Sequence, residues 1–382
     1  MARTESRSRE LGKAPRGKAL KPPLRGGSRR SRVGELEAKG DGKIAMEGAG
    51  PMKNMGVIGG GSWGTALALL LAVKGYPVTL WTYEEQVAQD INQHHENRSY
   101  LPGFSLPDHL VATNDLMEAS MEKDMVVLVT PSQHMRPVLE RLAFSPETVL
   151  VSASKGIEND TLMTMSEVIA QVASEDVAAR TVFLSGPNFA REVARQLPAA
   201  TVVASRDEKT ARWAQQIFNT RSFRVYTHSD VRGVELGGAL KNVMAVACGI
   251  SDGLGLGDNT RAALITRGLA EICRMGSRLG ASPETFFGLS GMGDLVLTCT
   301  GGLSRNRKLG MELGKGRSLQ DILSGMNMVA EGVYTSLSAF QLAAKVGVET
   351  PIINEVYRVL YEDKSPQTAL KDLMLRALKA EN

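Results

Sequence analysis

Several segments of this chain put groups suited to acid–base and anion chemistry where a plain core would put aliphatic residues. The stretch Gly233–Gly253 reads GVELGGALKNVMAVACGISDG. Small and apolar residues cover nearly its whole helical circumference, the pattern of a buried helix. Yet Lys241 and Asn242 stand at its centre. An unpaired buried lysine is costly, so Lys241 should be paired or face a polar cavity. Burial also lowers a lysine pKa toward the ~7–8 that suits a general base. The competing reading is a lysine at the rim, its head reaching back to water.

Three further clusters favour the chemical reading. Val151-Ser-Ala-Ser-Lys155-Gly156 puts a lysine just past an apolar strand. Open α/β sheets bind ligands at the carboxyl ends of their strands. Gly291-Met-Gly-Asp294-Leu-Val-Leu-Thr298 separates a carboxylate and a hydroxyl by four residues, one turn if helical. Ser304-Arg305-Asn306-Arg307 follows a Gly301-Gly302 turn and reads as a basic loop. Its donors suit a phosphate, which arginine can hold through two parallel bonds. Taken singly, a basic loop is usually just solvated, and an aspartate such as Asp294 usually caps a turn.

The segment Gly59-Gly-Gly61-Ser62-Trp63-Gly64 fits G-x-G-x-x-G between a first strand and a first helix. In that setting Gly59 permits a tight turn, Gly61 lets a pyrophosphate approach the backbone, and Gly64 lets helix and strand pack closely. Free N–H groups at the helix start face the phosphates. A glycine-rich turn alone would be weak evidence; the flanking strand and helix make it a dinucleotide site. The second strand ends at Trp81, followed by Thr82-Tyr83-Glu84. No carboxylate stands at the strand end itself and no arginine is there for a 2′-phosphate, which leaves NAD or NADP open. Tyr83 reads equally as an adenosine neighbour and as a surface tyrosine.

These residues need elements to position them. From Met55 onward, apolar strands alternate with helical segments. The strands are expected at 55–59, 78–81, 124–130, 148–152, 181–185, 200–204 and 223–226, with helices at 63–74 and 84–95. Strands with continuous apolar faces imply burial on both sides, hence a mostly parallel sheet covered by helices. After about Ser229 only helical periodicity remains, at 231–249, 261–279, 319–323, 333–346 and 352–360. The expected fold class is therefore α/β, a Rossmann-type, mostly parallel sheet domain over 53–229 followed by an all-helical domain over 230–382.

Residues 1–52 differ in composition, being rich in Arg, Lys, Gly, Ser and Pro, and read as a disordered basic extension. The first 54 residues hold fourteen Lys/Arg against six Asp/Glu, a net +8, so the rest of the chain carries −4 of the overall +4. The basicity belongs to a tail, and a nucleic-acid reading built on it would mislead. Of an upstream extension ahead of a start at Met46 or Met52, a targeting peptide and a nucleic-acid arm, the first is favoured, because the fold signal begins abruptly at Met55 and a transit peptide should be poor in acids. Cys248, Cys273 and Cys299 are odd in number and scattered, which argues against a disulfide framework or zinc site. The five histidines show no ligand spacing, so no metal is expected. No apolar run in the sequence approaches the roughly 18–20 residues of a membrane span.

In order along the chain, GGGSWGT, SKGIE, SGPNFA, FRVY, GGALKNV, RAALITRG, GDLVLTCT and SRNR resemble the bacterial-type NAD(P)-dependent glycerol-3-phosphate dehydrogenases from Met55 to about Leu360. The resemblance implies reversible NAD(P)H-dependent reduction of dihydroxyacetone phosphate to sn-glycerol 3-phosphate, used in glycerophospholipid synthesis. It implies Lys241 as proton acceptor, Lys155 as a catalytic lysine touching both substrate and the nicotinamide end, and Asp294 and Thr298 as residues around the reacting carbon. Gly186, Asn188, Ser304, Arg305 and Asn306 would join Lys155, Lys241 and Asp294 in binding substrate. Gly59, Gly61, Ser62, Trp63, Gly64, Tyr83, Lys155, Ala190, Arg305, Val329 and Glu331 would touch the NAD or NADP. Many relatives have Ser or Thr where this chain has Asn188. The expected partners are a small phosphorylated substrate and a second copy in a homodimer, without nucleic acid or stable membrane insertion, in the cytoplasm. The competing readings are another two-part dehydrogenase, such as a ketopantoate reductase, and a nucleotide-sensing or nucleic-acid-binding regulator.

Overall fold

The apolar runs form the strands they predict. A computed structural model describes residues 53–326, 329–378 and 380–381, and the expected basic extension over 1–52 lies outside them. Among the described residues, eight strands make one sheet: β1 (Met55–Ile58), β2 (Val78–Trp81), β3 (Leu110–Thr113), β4 (Met125–Leu128), β5 (Val149–Ser152), β6 (Val182–Ser185), β7 (Ala199–Ala204) and β8 (Phe223–His228). Their order is β3-β2-β1-β4-β5-β6-β7-β8. All neighbours run parallel except β6 and β7, which are antiparallel. The central β1 (MGVI) and β4 (MVVL) are buried at every position, as their unbroken apolar runs require. Strand β3 (LVAT) was not anticipated; it lies at the sheet edge, where alternate residues face water and the apolar signal halves.

The chain runs outward from β1 to β3 and returns to β4 on the other side of β1, so the sheet reverses direction between β1 and β4. Ligand crevices open at such a reversal, outside the carboxyl ends of the strands. The loops leaving β1, β4, β5 and β6 carry Gly59–Gly61, Ser132, Lys155 and Gly186, so four separate stretches of sequence meet at that edge.

Eight helices accompany the sheet: α1 (Ser62–Val73), α2 (Glu85–His94), α3 (Leu116–Ser120), α4 (Met135–Leu139), α5 (Met165–Val172), α6 (Glu175–Ala179), α7 (Ala190–Ala194) and α8 (Glu208–Phe218). Among the described residues, eight more follow without a strand: α9 (Val231–Gly253), α10 (Gly257–Arg278), α11 (Asp294–Thr300), α12 (Arg305–Gly314), α13 (Leu319–Ser324), α14 (Glu331–Val346), α15 (Pro351–Tyr361) and α16 (Pro366–Met374). Two of these correct the sequence reading. The supposed loop Ser304–Arg307 is the cap and first turn of α12, because the Ser304 hydroxyl accepts the Arg307 N–H at 3.2 Å. And α9 is long and apolar enough to cross a membrane; 94% of its apolar window is buried inside the protein, where it serves as the central helix of this half.

Glycines let α12 press backbone to backbone on α9. A Cβ on Gly249 would stand 2.1 Å from the Arg307 carbonyl oxygen, and one on Gly310 would stand 2.2 Å from that of Val246. Close approach of this kind fixes α12, and with it Arg305 and Asn306, relative to Lys241 on α9.

Candidate active site

Lys241 is 8% exposed and Asp294 2%. The Lys241 ammonium donates to Thr298 Oγ1 at 2.8 Å and lies 2.9 Å from Asp294 Oδ1. Asp294 Oδ2 accepts from Lys155 Nζ at 2.6 Å, and Lys155 also donates to the Gly186 carbonyl at 3.1 Å. One carboxylate thus spans two lysines delivered by different halves of the fold. A single π-helical turn, Leu289–Gly293, leads into α11 and presents Asp294 at its start. One turn later the Thr298 hydroxyl donates to the Asp294 carbonyl at 2.6 Å, which leaves its oxygen to accept from Lys241. The rim alternative for Lys241 is set aside, since the head is paired inside the protein.

Burial is the main force on Lys241 and lowers its pKa from 10.5 to about 8. The Asp294 charge opposes that shift and the Lys155 charge adds to it. Glycine at 238 lets α9 pack closely on β6 beside this lysine: a Cβ there would stand 2.7 Å from Ser185 Oγ, while Lys155 Cδ lies at an ordinary contact distance of 3.5 Å. Gly186 adopts φ +153°, and a Cβ there would meet the Thr201 Cα at 2.9 Å, so the turn after β6 requires glycine.

Arg305 is tied to this centre through α12. Its neighbour Asn306 donates to Asn242 Oδ1 at 2.9 Å and accepts the Gly332 N–H at 3.0 Å. Asn242 adjoins Lys241, so a buried amide pair sets the register between Lys241 and Arg305. Arg305 Nη1 donates to the Val329 carbonyl at 2.8 Å, which anchors an otherwise exposed guanidinium. The Asn306 side chain is a spacer as much as a free donor. The Asn188 amide is committed as well: its Nδ2 donates to the carbonyls of Pro187 and Ala200, while its buried Oδ1 has no partner. Ala190 begins α7 just beyond it.

The glycine loop is built as a cradle. Gly59 adopts φ +126°, with Val129 O only 2.7 Å from where a Cβ would be. A Cβ on Gly64 would collide with Gly59 O at 1.8 Å, whereas one on Gly61 would meet no protein atom within 4 Å. Space at Gly61 and contact at Gly59 and Gly64 are the pattern a pyrophosphate seat needs. No side chain of the N-cap residue Gly61 caps the start of α1, the end of a helix that attracts phosphates. The buried Trp63 Nε1 lacks a protein partner. Ser62 Oγ donates to the Tyr100 carbonyl at 2.5 Å, and Asn97 Nδ2 donates to the Gly60 carbonyl at 2.8 Å, which fixes the loop from behind. Tyr83 is 80% exposed past the end of β2, edge-on to Trp81. These residues fit a dinucleotide.

Glu331 begins α14 and reaches back to the loop after β4. Ser132 donates to it twice, N–H to Oε1 at 3.1 Å and hydroxyl to Oε2 at 2.7 Å. Gly156, beside Lys155, packs against this pair. Ser132 escaped the sequence reading, although its place just after β4 was a usable signal. Gly238, Asn97 and Tyr100 carried none, because their roles depend on long-range neighbours. A cavity of about 250 Å³ lined by Ser166, Arg206, Arg232 and Gly280 shares no residue with this constellation.

Fold and site together define a class: a nicotinamide-dependent dehydrogenase with a Rossmann-type sheet and an all-helical second half. The models for the N-terminus and C-terminus of NAD-dependent glycerol-3-phosphate dehydrogenase match residues 54–211 and 230–371. The glycerol-3-phosphate dehydrogenase [NAD(P)+] of Syntrophotalea carbinolica is 59% identical over 330 residues, covering 86% of this chain and 99% of the relative. That of Geobacter sulfurreducens is 59% identical over 331 residues, with the same coverage. The crystal structure of glycerol-3-phosphate dehydrogenase from Coxiella burnetii superposes with a TM-score of 0.79 at 38% identity, covering 85% of this chain and 99% of that one. The chain belongs to the NAD-dependent glycerol-3-phosphate dehydrogenase family.

Proposed function

We infer that the chain interconverts dihydroxyacetone phosphate and sn-glycerol 3-phosphate with NAD(H) or NADP(H), and that Lys241 moves the proton. The observation that carries the proton assignment is the Lys241–Asp294–Lys155 bridge, with Lys241 buried and its pKa lowered to about 8. An ammonium has three N–H bonds. Thr298 and Asp294 engage two of them, and the third is available to a substrate oxygen.

A bound nicotinamide supplies or takes up the hydride at C2. The chain's residues do the rest. Lys241 gives its proton to the C2 oxygen in ketone reduction and takes it back in alcohol oxidation. Asp294 holds that ammonium in place, and Thr298 fixes its direction. Lys155, held by Asp294 and Gly186, has one N–H left for substrate and keeps Lys241 from becoming too basic. Arg305 offers its remaining N–H groups to the substrate phosphate, a charge-assisted contact that a point charge would make less selectively. Ser304 acts first as the cap that starts α12, and Asn306 sets the distance from Arg305 to Lys241. Val329 contributes its carbonyl and Glu331 its clasp on Ser132, so both shape the crevice wall beside the cofactor.

We take the boundary between the two halves near residues 229–230, with the crevice between them. A homodimer, a cytoplasmic location and supply of phospholipid synthesis follow from the family and remain part of the proposal. Steady-state rates with dihydroxyacetone phosphate and with unphosphorylated dihydroxyacetone, each against NADH and NADPH, test the substrate. Turnover that requires the phosphate is expected; equal turnover of both ketones would refute the assignment of Arg305.

A further inference from the structure

The end of β2 holds a feature that bears on the choice between the two nicotinamide cofactors. A dinucleotide with its pyrophosphate on the glycine loop places its adenosine ribose beyond the carboxyl end of β2. A carboxylate there accepts from the ribose 2′-hydroxyl, whereas a basic group there accommodates a 2′-phosphate. The sequence offers no acid at the strand end itself; Glu84 comes three residues after Trp81.

The structure brings Glu84 to the glycine loop through one intermediary. Tyr100 OH donates to Glu84 Oε1 at 2.7 Å, and the carbonyl of the same tyrosine accepts from Ser62 in the loop at 2.5 Å. Asn97, which bonds the Gly60 carbonyl, also holds the Tyr100 N–H at 3.0 Å. The exposed Glu84 carboxylate is therefore fixed relative to the pyrophosphate seat, and Oε2 has no described partner. Glu85 follows it at the start of α2. Basic residues on adjoining segments are engaged elsewhere. Arg98 pairs with Asp90 and Glu96, Arg191 donates to the Pro102 carbonyl, and Lys123 donates to Thr79.

We propose that Glu84, held by Tyr100, makes this chain select NADH over NADPH. Its carboxylate accepts from the 2′-hydroxyl of one cofactor and repels the 2′-phosphate of the other, a group of about −1.5 to −2 charge. The proposal rests on the glycine loop as the pyrophosphate seat.

Dissociation constants for NADH and NADPH, read by fluorescence titration of the full chain without substrate, test it. Wild type should hold NADH at least about tenfold tighter. Glu84→Gln keeps an acceptor for Tyr100 and removes the charge, so the ratio should fall by about threefold or more at unchanged thermal stability. Glu84→Arg should invert the preference. Equal or tighter NADPH binding by wild type, or an unchanged ratio in Glu84→Gln, would overturn the proposal. Failure of wild type to bind either nucleotide would overturn the seat on which it stands.

Discussion

Asp294 Oδ1 lies 2.9 Å from the Lys241 ammonium, and the other oxygen of the same carboxylate lies 2.6 Å from Lys155. The two neighbours act on Lys241 with opposite sign. Asp294 favours the ammonium, and Lys155 disfavours it. Ketone reduction needs the ammonium, so kcat/KM in that direction should fall as pH rises through about 8, and alcohol oxidation should rise through the same range. Asp294→Asn removes a stabilising charge and should move this limb to lower pH. Lys155→Met removes a repelling charge and should move it to higher pH. Profiles of residual kcat/KM for both variants check this; displacement in the same direction would contradict the bridge.

The glycine loop separates folding from binding. Gly61→Ala adds a methyl where no protein atom lies within 4 Å, so the melting temperature should hold while both nucleotides bind more weakly. Gly64→Ala puts a Cβ 1.8 Å from the Gly59 carbonyl oxygen and should destabilise the protein itself. Overpacking of this kind costs about 1–3 kcal/mol, several degrees in melting temperature. Calorimetric melting and nucleotide titration of both variants give the comparison. A stability loss in Gly61→Ala with unchanged binding would reverse the reading.

Arg305 is anchored by the Val329 carbonyl and is otherwise exposed. Arg305→Ala should raise KM for dihydroxyacetone phosphate by about 10- to 100-fold, the ~1.5–3 kcal/mol of a charge-assisted hydrogen bond. The slow turnover of unphosphorylated dihydroxyacetone should barely change. Kinetics with the two ketones separate a lost phosphate contact from general damage, which would lower both equally.

Much of this was legible in residue order. Unbroken apolar runs announce β1 and β4 because a strand buried on both faces has no polar side. Lys241 stood out because charge in an apolar helix must be answered somewhere, and Asp294 with Thr298 at a spacing of four does lie on one helical turn. What escaped has physical reasons. Strand β3 lies at the sheet edge and alternates buried with exposed positions, so it lacks the unbroken apolar run of its equally short neighbours. The antiparallel pairing of β6 with β7 leaves no trace in composition, since an apolar run does not encode direction. Arg305 looked like part of a solvated loop because its own side chain is exposed and the run around it is polar, with no apolar periodicity to mark the start of α12. The Asn306–Asn242 and Glu331–Ser132 contacts join residues 64 and 199 positions apart, beyond any local pattern.

Lys241 as proton donor is tested most directly by Lys241→Met, which keeps the apolar stem and removes the ammonium. Loss of a positioned acid is expected to lower kcat/KM for dihydroxyacetone phosphate by about 10²- to 10⁴-fold. Nucleotide dissociation constants should stay within about threefold, since the glycine loop is untouched. Turnover within about tenfold of wild type would contradict the assignment of Lys241 as the group that moves the proton.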